Sequence, residues 1–274
     1  MEQKHYIIRG GEQGRARLLV LSRVMRPTTL SLLNQAGIRP GMKCLEIGCG
    51  SSDVAFDLAR IVGPDGSVVA TDIDEIKLRL AQQEAEQDHL TNLEFRLADI
   101  LEEELENFDF VHARFVLTHL ANPRKALEKV RRSLNPGGVL AVEDVDFRGH
   151  FCHPEHSAFS RYLDLYTKTA QRRGADPNIG PRLPGLLIKA GLERVQINVV
   201  QLAAMSDESK LMAPLTMENI ADSVLAEGLA SPAEVDRLVH DLYEFARDPD
   251  TVISGPRVVQ AWGYCNNASH TIDR

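Results

Sequence analysis

Two glycines and a spaced series of carboxylates carry the clearest chemical signal in this 274-residue sequence. In Leu45-Glu46-Ile47-Gly48-Cys49-Gly50-Ser51-Ser52-Asp53, an apolar run gives way to a helical one at Gly48 and Gly50. Without Cβ atoms these residues permit a tight turn and let a ligand approach the backbone. A GxG alone is weak, because many strand-to-helix turns need glycine. Asp72 strengthens the reading: it ends the next β-branched run, about 20 residues further on, where a carboxylate can accept both hydroxyl protons of a ribose. Asp74 beside it suits a helix cap better. Asp99, within Ala98-Asp99-Ile100, ends a third run and sets another acid and another apolar side chain at the same edge. Further on, Arg114 is a candidate partner for a ligand carboxylate and His119 a candidate general base, since imidazole titrates near neutrality.

These residues need a scaffold that brings strand ends together. Residues 43–47, 67–71, 93–97, 108–112 and 138–143 read as strands, with helical composition over 52–62, 74–87 and 122–134. Ser52 and Asp74 stand where they can cap the first two of these helices. Strand–helix alternation implies an α/β fold with a mostly parallel sheet covered on both faces. Near-helical leucine spacing over 11–35, interrupted at Pro27, predicts one or two helices before the sheet. Past Glu143 the alternation stops. Phe159, Tyr162 and Tyr166 share a helical face, as do Leu238, Leu242 and Tyr243; residues 193–200 and 257–264 read as two last strands, with residues 206–247 inserted between them as a helical cover. The expected division is therefore 1–36 as an N-terminal helical cap, 37–150 as the cofactor-binding core, and 151–274 as acceptor-side helices with the last two strands.

Composition narrows the function. Hydrophobic residues make up 43% and charged residues 26%, enough for a real core. A formal net charge of -8 repels polyanions, which disfavours nucleic acid as a partner. Arg172 with Arg173, and Arg131 with Arg132, are pairs of a kind usually found on solvated faces. No run approaches the roughly 20 apolar residues of a membrane span, and the polar start from Met1 to His5 lacks an export signal, so the expectation is a cytoplasmic protein with no membrane partner. The four cysteines lack metal-ligand spacing and read as reduced, half-buried residues; His150, His153 and His156 read as surface or cavity-lining rather than metal-binding.

Glu46-Ile47-Gly48-Cys49-Gly50, Asp72-Ile73, Ala98-Asp99-Ile100, the segment from Asp109 to His119, and Leu134-Asn135-Pro136-Gly137-Gly138 together resemble the class I S-adenosylmethionine-dependent methyltransferases, in particular the small-molecule branch similar to the ubiquinone and menaquinone biosynthesis enzymes. The resemblance covers about residues 6–147. It implies a Rossmann-like seven-stranded sheet, S-adenosylmethionine as cofactor, no metal, and a small-molecule acceptor, with secondary metabolism as one setting and a homodimer as one allowed assembly. By position it places Gly48 and Gly50 under the methionine part, Asp72 on the ribose, Asp99 on the adenine amino group, and Ile73, Ala98 and Ile100 around the adenine. Glu46 would orient the loop or reach the cofactor's ammonium, and Tyr6 would fold across as a lid. A further glycine is common in the family where this chain has Ser52, which leaves the loop geometry open.

An activated sulfonium needs alignment and exclusion of water more than it needs catalytic side chains. A base such as His119 helps only if the acceptor must lose a proton; Glu143, Asp144 and Asp146 are secondary candidates, of a kind that usually cap loops or meet solvent. Two alternatives stay open: a nicotinamide-dependent oxidoreductase, disfavoured because Asp53 stands where its fingerprint wants a third glycine and would face a pyrophosphate, and a noncatalytic cofactor-binding protein of the same fold.

Overall fold

The strands at the centre of the sheet are apolar on both sides, as strands sandwiched between two helical layers must be. In β1 (Lys43–Ile47) Cys44 and Leu45 enter opposite layers; β4 (Phe108–Arg114) repeats this with Phe110 and Val111, and β5 (Leu134–Asp146) with Ala141 and Leu140. The computed structural model describes residue 8 and residues 11–105 and 107–266, with side chains in the second stretch from Gly14 onward. β2 (Ser67–Asp72) and β3 (Leu93–Leu97) extend one side of β1 in parallel, while β4 and β5 extend the other. β8 (Val252–Tyr264) then runs antiparallel to β5, and β7 (Glu193–Ala204) pairs along the far edge of β8. The two-residue β6 (Cys152–His153) pairs with the start of β8 and makes this an eight-stranded sheet where seven strands were expected. The architecture is the mostly parallel α/β sheet that the alternation implied.

One face is covered by α2 (Asp53–Val62) and the end of α1 (Gly11–Ala36), through Leu32, Leu33, Leu58 and Val62. The other face is covered by α4 (Pro123–Arg132) and α6 (Leu183–Lys189), through Leu127, Val130, Leu183 and Leu187. Each such leucine, removed from water, contributes about 1.5–3 kcal/mol. α3 (Glu75–Gln87) follows β2. A third apolar body joins α5 (Ser157–Arg172), α7 (Met212–Ala226) and α8 (Pro232–Arg247) to Phe147 and Ile253.

Three local differences from the sequence reading have physical causes. α1 continues through Pro27 instead of breaking there; Met25 before it and Leu32 and Leu33 after it are all buried, and that burial outweighs the ~3 kcal/mol cost of an interior proline. β8 begins at Val252, ahead of the expected residue 257, because its first residues pair with β6 and with Ala203 and Ala204 of β7. β5 likewise extends to Asp146, which carries Asp144 and Asp146 into the protein interior.

Candidate active site

Gly48 and Gly50 take the chain from β1 into α2 with left-handed φ values of 66° and 54°. A Cβ at Gly48 would lie 2.6 Å from Val116 Cγ2, whereas one at Gly50 would meet nothing closer than the Gly48 carbonyl at 3.9 Å. The first glycine is thus demanded by packing against the β4 side, and the second by backbone conformation alone. Ser52 is also left-handed, with φ 61°, and its side chain does not cap α2; its hydroxyl turns instead toward Cys49 Sγ at 3.6 Å. A position with this conformation favours glycine. Asp74, by contrast, does cap its helix, accepting from the Ile76 and Lys77 N–H groups.

The loop and the β2 end are tied together. The Gly50 N–H donates to Asp72 Oδ2 at 2.9 Å and the Asp74 N–H to Asp72 Oδ1 at 3.0 Å. Each carboxylate oxygen retains a lone pair, and Asp72 stands in the wall of a cavity of about 1090 Å³. Asp99 lines the same cavity, oriented by the Leu101 N–H at 2.9 Å, with Ile73, Ala98 and Ile100 beside it.

Beneath the loop is a buried polar chain. His112 Nδ1 lies 2.8 Å from Glu46 Oε2, and its Nε2 lies 3.6 Å from Glu143 Oε1. Glu143 also accepts from the Thr29 hydroxyl at 2.5 Å and the Gln260 amide at 2.8 Å. Burial opposes the imidazolium, but Glu46 and Glu143 overcome it and raise His112 to about 9. Burial alone would push Glu143 up, yet His112 and Arg114 hold it below the usual carboxylate range. Glu46 ends above that range, because burial outweighs His112 there. Glu46 is absent from the cavity wall; it lies under the loop. Arg114 does reach the wall, but it is paired with Asp53 at 2.7 Å. That pairing neutralises the carboxylate expected to repel a pyrophosphate, so Asp53 does not by itself separate the rival cofactors.

His119 lines the cavity at the turn after β4. Burial, reinforced by the positive charges of Arg17 and Lys77, pushes its imidazole down to about 3. It is therefore neutral, and a weak base. Beyond it the same cavity is lined by Phe147, His150, Tyr162 and Tyr166 and by Ala213 and Thr216 of α7. Phe147 stacks on Tyr166 with ring centroids 4.0 Å apart. The His150 Nδ1 hydrogen donates to the Phe147 carbonyl at 2.8 Å, and burial lowers its pKa to about 4. A volume of 1090 Å³ exceeds the roughly 300–1,000 Å³ that a single small ligand occupies, so there is room for a cofactor and a second molecule.

Residues 38–174, half of the sequence, match the family model described as a methyltransferase domain. The chain belongs to that family. The methyltransferase str3 of Strobilurus tenacellus is 33% identical over 166 residues, covering 58% of this chain and 56% of that protein. The ubiquinone/menaquinone biosynthesis C-methyltransferase UbiE of Teredinibacter turnerae is 30% identical over 150 residues, covering 54% and 57%. The chain thus spans about half the length of these curated relatives. Among solved structures, phosphoethanolamine N-methyltransferase 2 of Haemonchus contortus, in complex with phosphomonomethylethanolamine and S-adenosylhomocysteine, shares the fold with a TM-score of 0.55 at 17% identity, over 88% of this chain and 52% of that one. The family's cofactor is S-adenosylmethionine.

Within this methyltransferase fold, one cavity gathers Gly48, Gly50, Asp72, Ile73, Ala98, Asp99, Ile100, Arg114 and His119. Glu46 stays out of it, and Tyr6 lies outside the described residues. Arg17, Phe147 and Thr216 also line it and were missed by the sequence reading. Arg17 sits on a helix that carried only a leucine pattern, and nothing local marks a cavity-facing cation there. Glu143 and Asp146 are held by ionic partners instead of capping loops or meeting solvent, as acids after a strand usually do, whereas Asp144, also buried, does hold the turn after β4. Glu143 joins His112. Asp144 accepts from the Thr118 and Val145 N–H groups, and burial raises it to about 7 in spite of them. Asp146 pairs with Arg148 and Arg257. Of the three histidines, His150 lines the cavity, His153 lies in β6 and His156 stacks on Phe245 at 4.3 Å.

Proposed function

We propose that this chain transfers the methyl group of S-adenosylmethionine to a small-molecule acceptor bound in the aromatic half of the cavity. The observation that carries the reading is Asp72, whose carboxylate is oriented by two backbone N–H groups, one from the glycine loop itself, and lines the cavity beside Asp99. This donor set fits the cofactor: Asp72 offers acceptor lone pairs to a ribose diol, Asp99 an acceptor to an exocyclic amine, and Ile73, Ala98 and Ile100 apolar contact to a flat base. Gly50 leaves space above the loop for the amino-acid end. Arg114, satisfied by Asp53, supports the loop more than it holds a ligand, and Glu46 acts through His112 and the loop rather than on the cofactor's ammonium. Tyr6 remains the proposed lid.

When bound, the cofactor supplies an activated methyl carbon. The chain's part is to align the acceptor and keep water out, which an apolar wall of Phe147, Tyr162 and Tyr166 serves. His119, neutral and weakly basic, serves as a positioning hydrogen-bond partner and is poorly suited to abstract a proton from a neutral alcohol. A small acceptor is favoured over nucleic acid by the net charge of -8 and by Arg172 and Arg173, which both face Glu227. Among the described residues no helix is long and apolar enough to cross a membrane.

The test is calorimetric titration with S-adenosylhomocysteine. The wild-type protein is expected to bind one equivalent and the folded Asp72→Ala variant to bind at least about tenfold more weakly. A wild-type protein that does not bind, or a variant that binds equally well, would overturn the reading.

A further inference from the structure

Three cations line the cavity, and their partners differ. Arg114 is paired with Asp53 at 2.7 Å, and Lys77 lies 3.7 Å from Asp74. Arg17, on α1, has no carboxylate partner among the described residues. Its Nε donates to the Thr216 hydroxyl at 2.9 Å, which pins the guanidinium to α7, and the Tyr162 hydroxyl meets the same threonine. The positive charge of Arg17 is felt by His119 on one side and by Tyr162 on the other. It therefore stands at the junction between the acid-and-glycine shelf and the aromatic chamber.

A half-buried guanidinium whose hydrogen-bond partner among the described residues is a hydroxyl is incompletely compensated for the water it gives up. With Nε engaged, its two terminal amino groups still present a planar fork, the geometry that matches a carboxylate. The nearby walls, Phe147 stacked on Tyr166 with Leu21 and Met25 of α1 in the same cavity, suit a flat apolar body.

Resting on the methyltransferase reading of this cavity, we propose that Arg17 is the acceptor's anchor and selects small molecules that join a ring-sized apolar body to an ionised carboxylate. Such a group would take over the fork that no carboxylate among the described residues fills, while the ring packs on Phe147 and Tyr166. Neutral analogues of the same shape would leave the guanidinium uncompensated and bind worse. The cofactor also carries a carboxylate, and the experiment separates the two sources.

The probes are 2-naphthoate and its neutral isostere 2-naphthamide, titrated into protein saturated with S-adenosylhomocysteine, using the wild type, Arg17→Gln and Arg17→Lys. Expected is at least about tenfold tighter binding of the acid than of the amide by the wild type, loss of that preference in Arg17→Gln, and partial retention in Arg17→Lys, which keeps the charge without the fork. Affinity for S-adenosylhomocysteine should stay within about twofold in both variants. Equal binding of acid and amide by the wild type overturns the proposal, and that arm does not depend on either variant folding. A variant that loses S-adenosylhomocysteine but keeps 5′-methylthioadenosine, which lacks the amino-acid end, also overturns it by assigning Arg17 to the cofactor. Both of these results leave the methyltransferase reading intact. Failure of the wild type to bind S-adenosylhomocysteine at all would sink both.

Discussion

Replacing His112 by glutamine probes the buried chain on which the glycine loop rests. His112 is wholly buried between Glu46 and Glu143, with no exposure of its own, and its pKa of about 9 keeps it cationic at neutral pH. Glutamine can keep one hydrogen bond but not the charge. Removing one member of a buried ion pair costs about 3–5 kcal/mol, because the remaining charge is left without compensation. Glu143, held below the usual carboxylate range by His112 and Arg114, is left facing a neutral side chain, but Arg114 still offsets its charge, so the lower end applies, about 3 kcal/mol. Against a total stability of roughly 5–15 kcal/mol the variant should still fold. The assay is equilibrium urea unfolding followed by Trp262, the chain's single tryptophan, buried on β8. The pH dependence gives a second check. A raised histidine pKa contributes stability fully below its ordinary value of about 6.5, and that contribution is lost as pH rises through about 9. The wild type should therefore lose stability between those limits, and His112→Gln should lack that loss. At low pH, where Glu143 becomes protonated, the two proteins should converge. A penalty under about 1 kcal/mol, or the same alkaline slope in both proteins, would refute the ion-pair account.

Gly48→Ala should destabilise by about 2–5 kcal/mol, summing a left-handed non-glycine residue with overpacking against Val116; Val116→Ala in the same chain should restore part of this, and a failure to restore any would mean the loop geometry and not the contact is limiting. Asp72→Ala should reduce affinity for S-adenosylhomocysteine and also lower stability by about 2 kcal/mol, since two backbone hydrogen bonds lose their acceptor; thermal unfolding without ligand separates the two effects. Ser52→Gly should raise stability by about 1 kcal/mol by relieving a left-handed residue, unless the buried Ser52–Cys49 contact is worth as much, in which case the midpoint stays put.

Much of the scaffold was legible in the sequence because it rests on local patterns. Apolar runs, three of them ending at glycine or acid, with helical stretches after the first, second and fourth, place β1 to β4 and α2 to α4 close to where the structure has them, and they bring Gly48, Gly50, Asp72 and Asp99 to one edge. What could not be read depends on distant partners. Glu46 has the same local setting whether it faces a ligand or His112, and only the packing of β1 against β4 decides between them. Arg114 looks like a free cation until Asp53 is placed beside it. Arg17 is the reverse: a residue in an ordinary helical stretch that the closure of α1 against α7 turns inward. The start of β8 ahead of residue 257 likewise depends on pairing with β6 and β7, which no local pattern shows.

The placement of β8 has a consequence for how the chain reaches this fold. It is an interior strand, flanked by β5 on one side and β7 on the other, yet it follows both of them in the chain. Contacts such as Glu143 with Gln260 bridge 117 positions, so their loop closure must be met before the pairing rewards it, a topology that slows folding. Until β8 docks, the edge of β5 offers a row of unmet N–H and C=O groups beside Val139, Leu140, Ala141 and Val142, an adhesive surface for other chains. β7, released earlier, can occupy that edge in β8's stead. Nascent chains stalled ahead of Val252 should accordingly be the ones that require chaperones, and loss of β8 should make the chain aggregate even with the glycine loop, Asp72 and Asp99 intact.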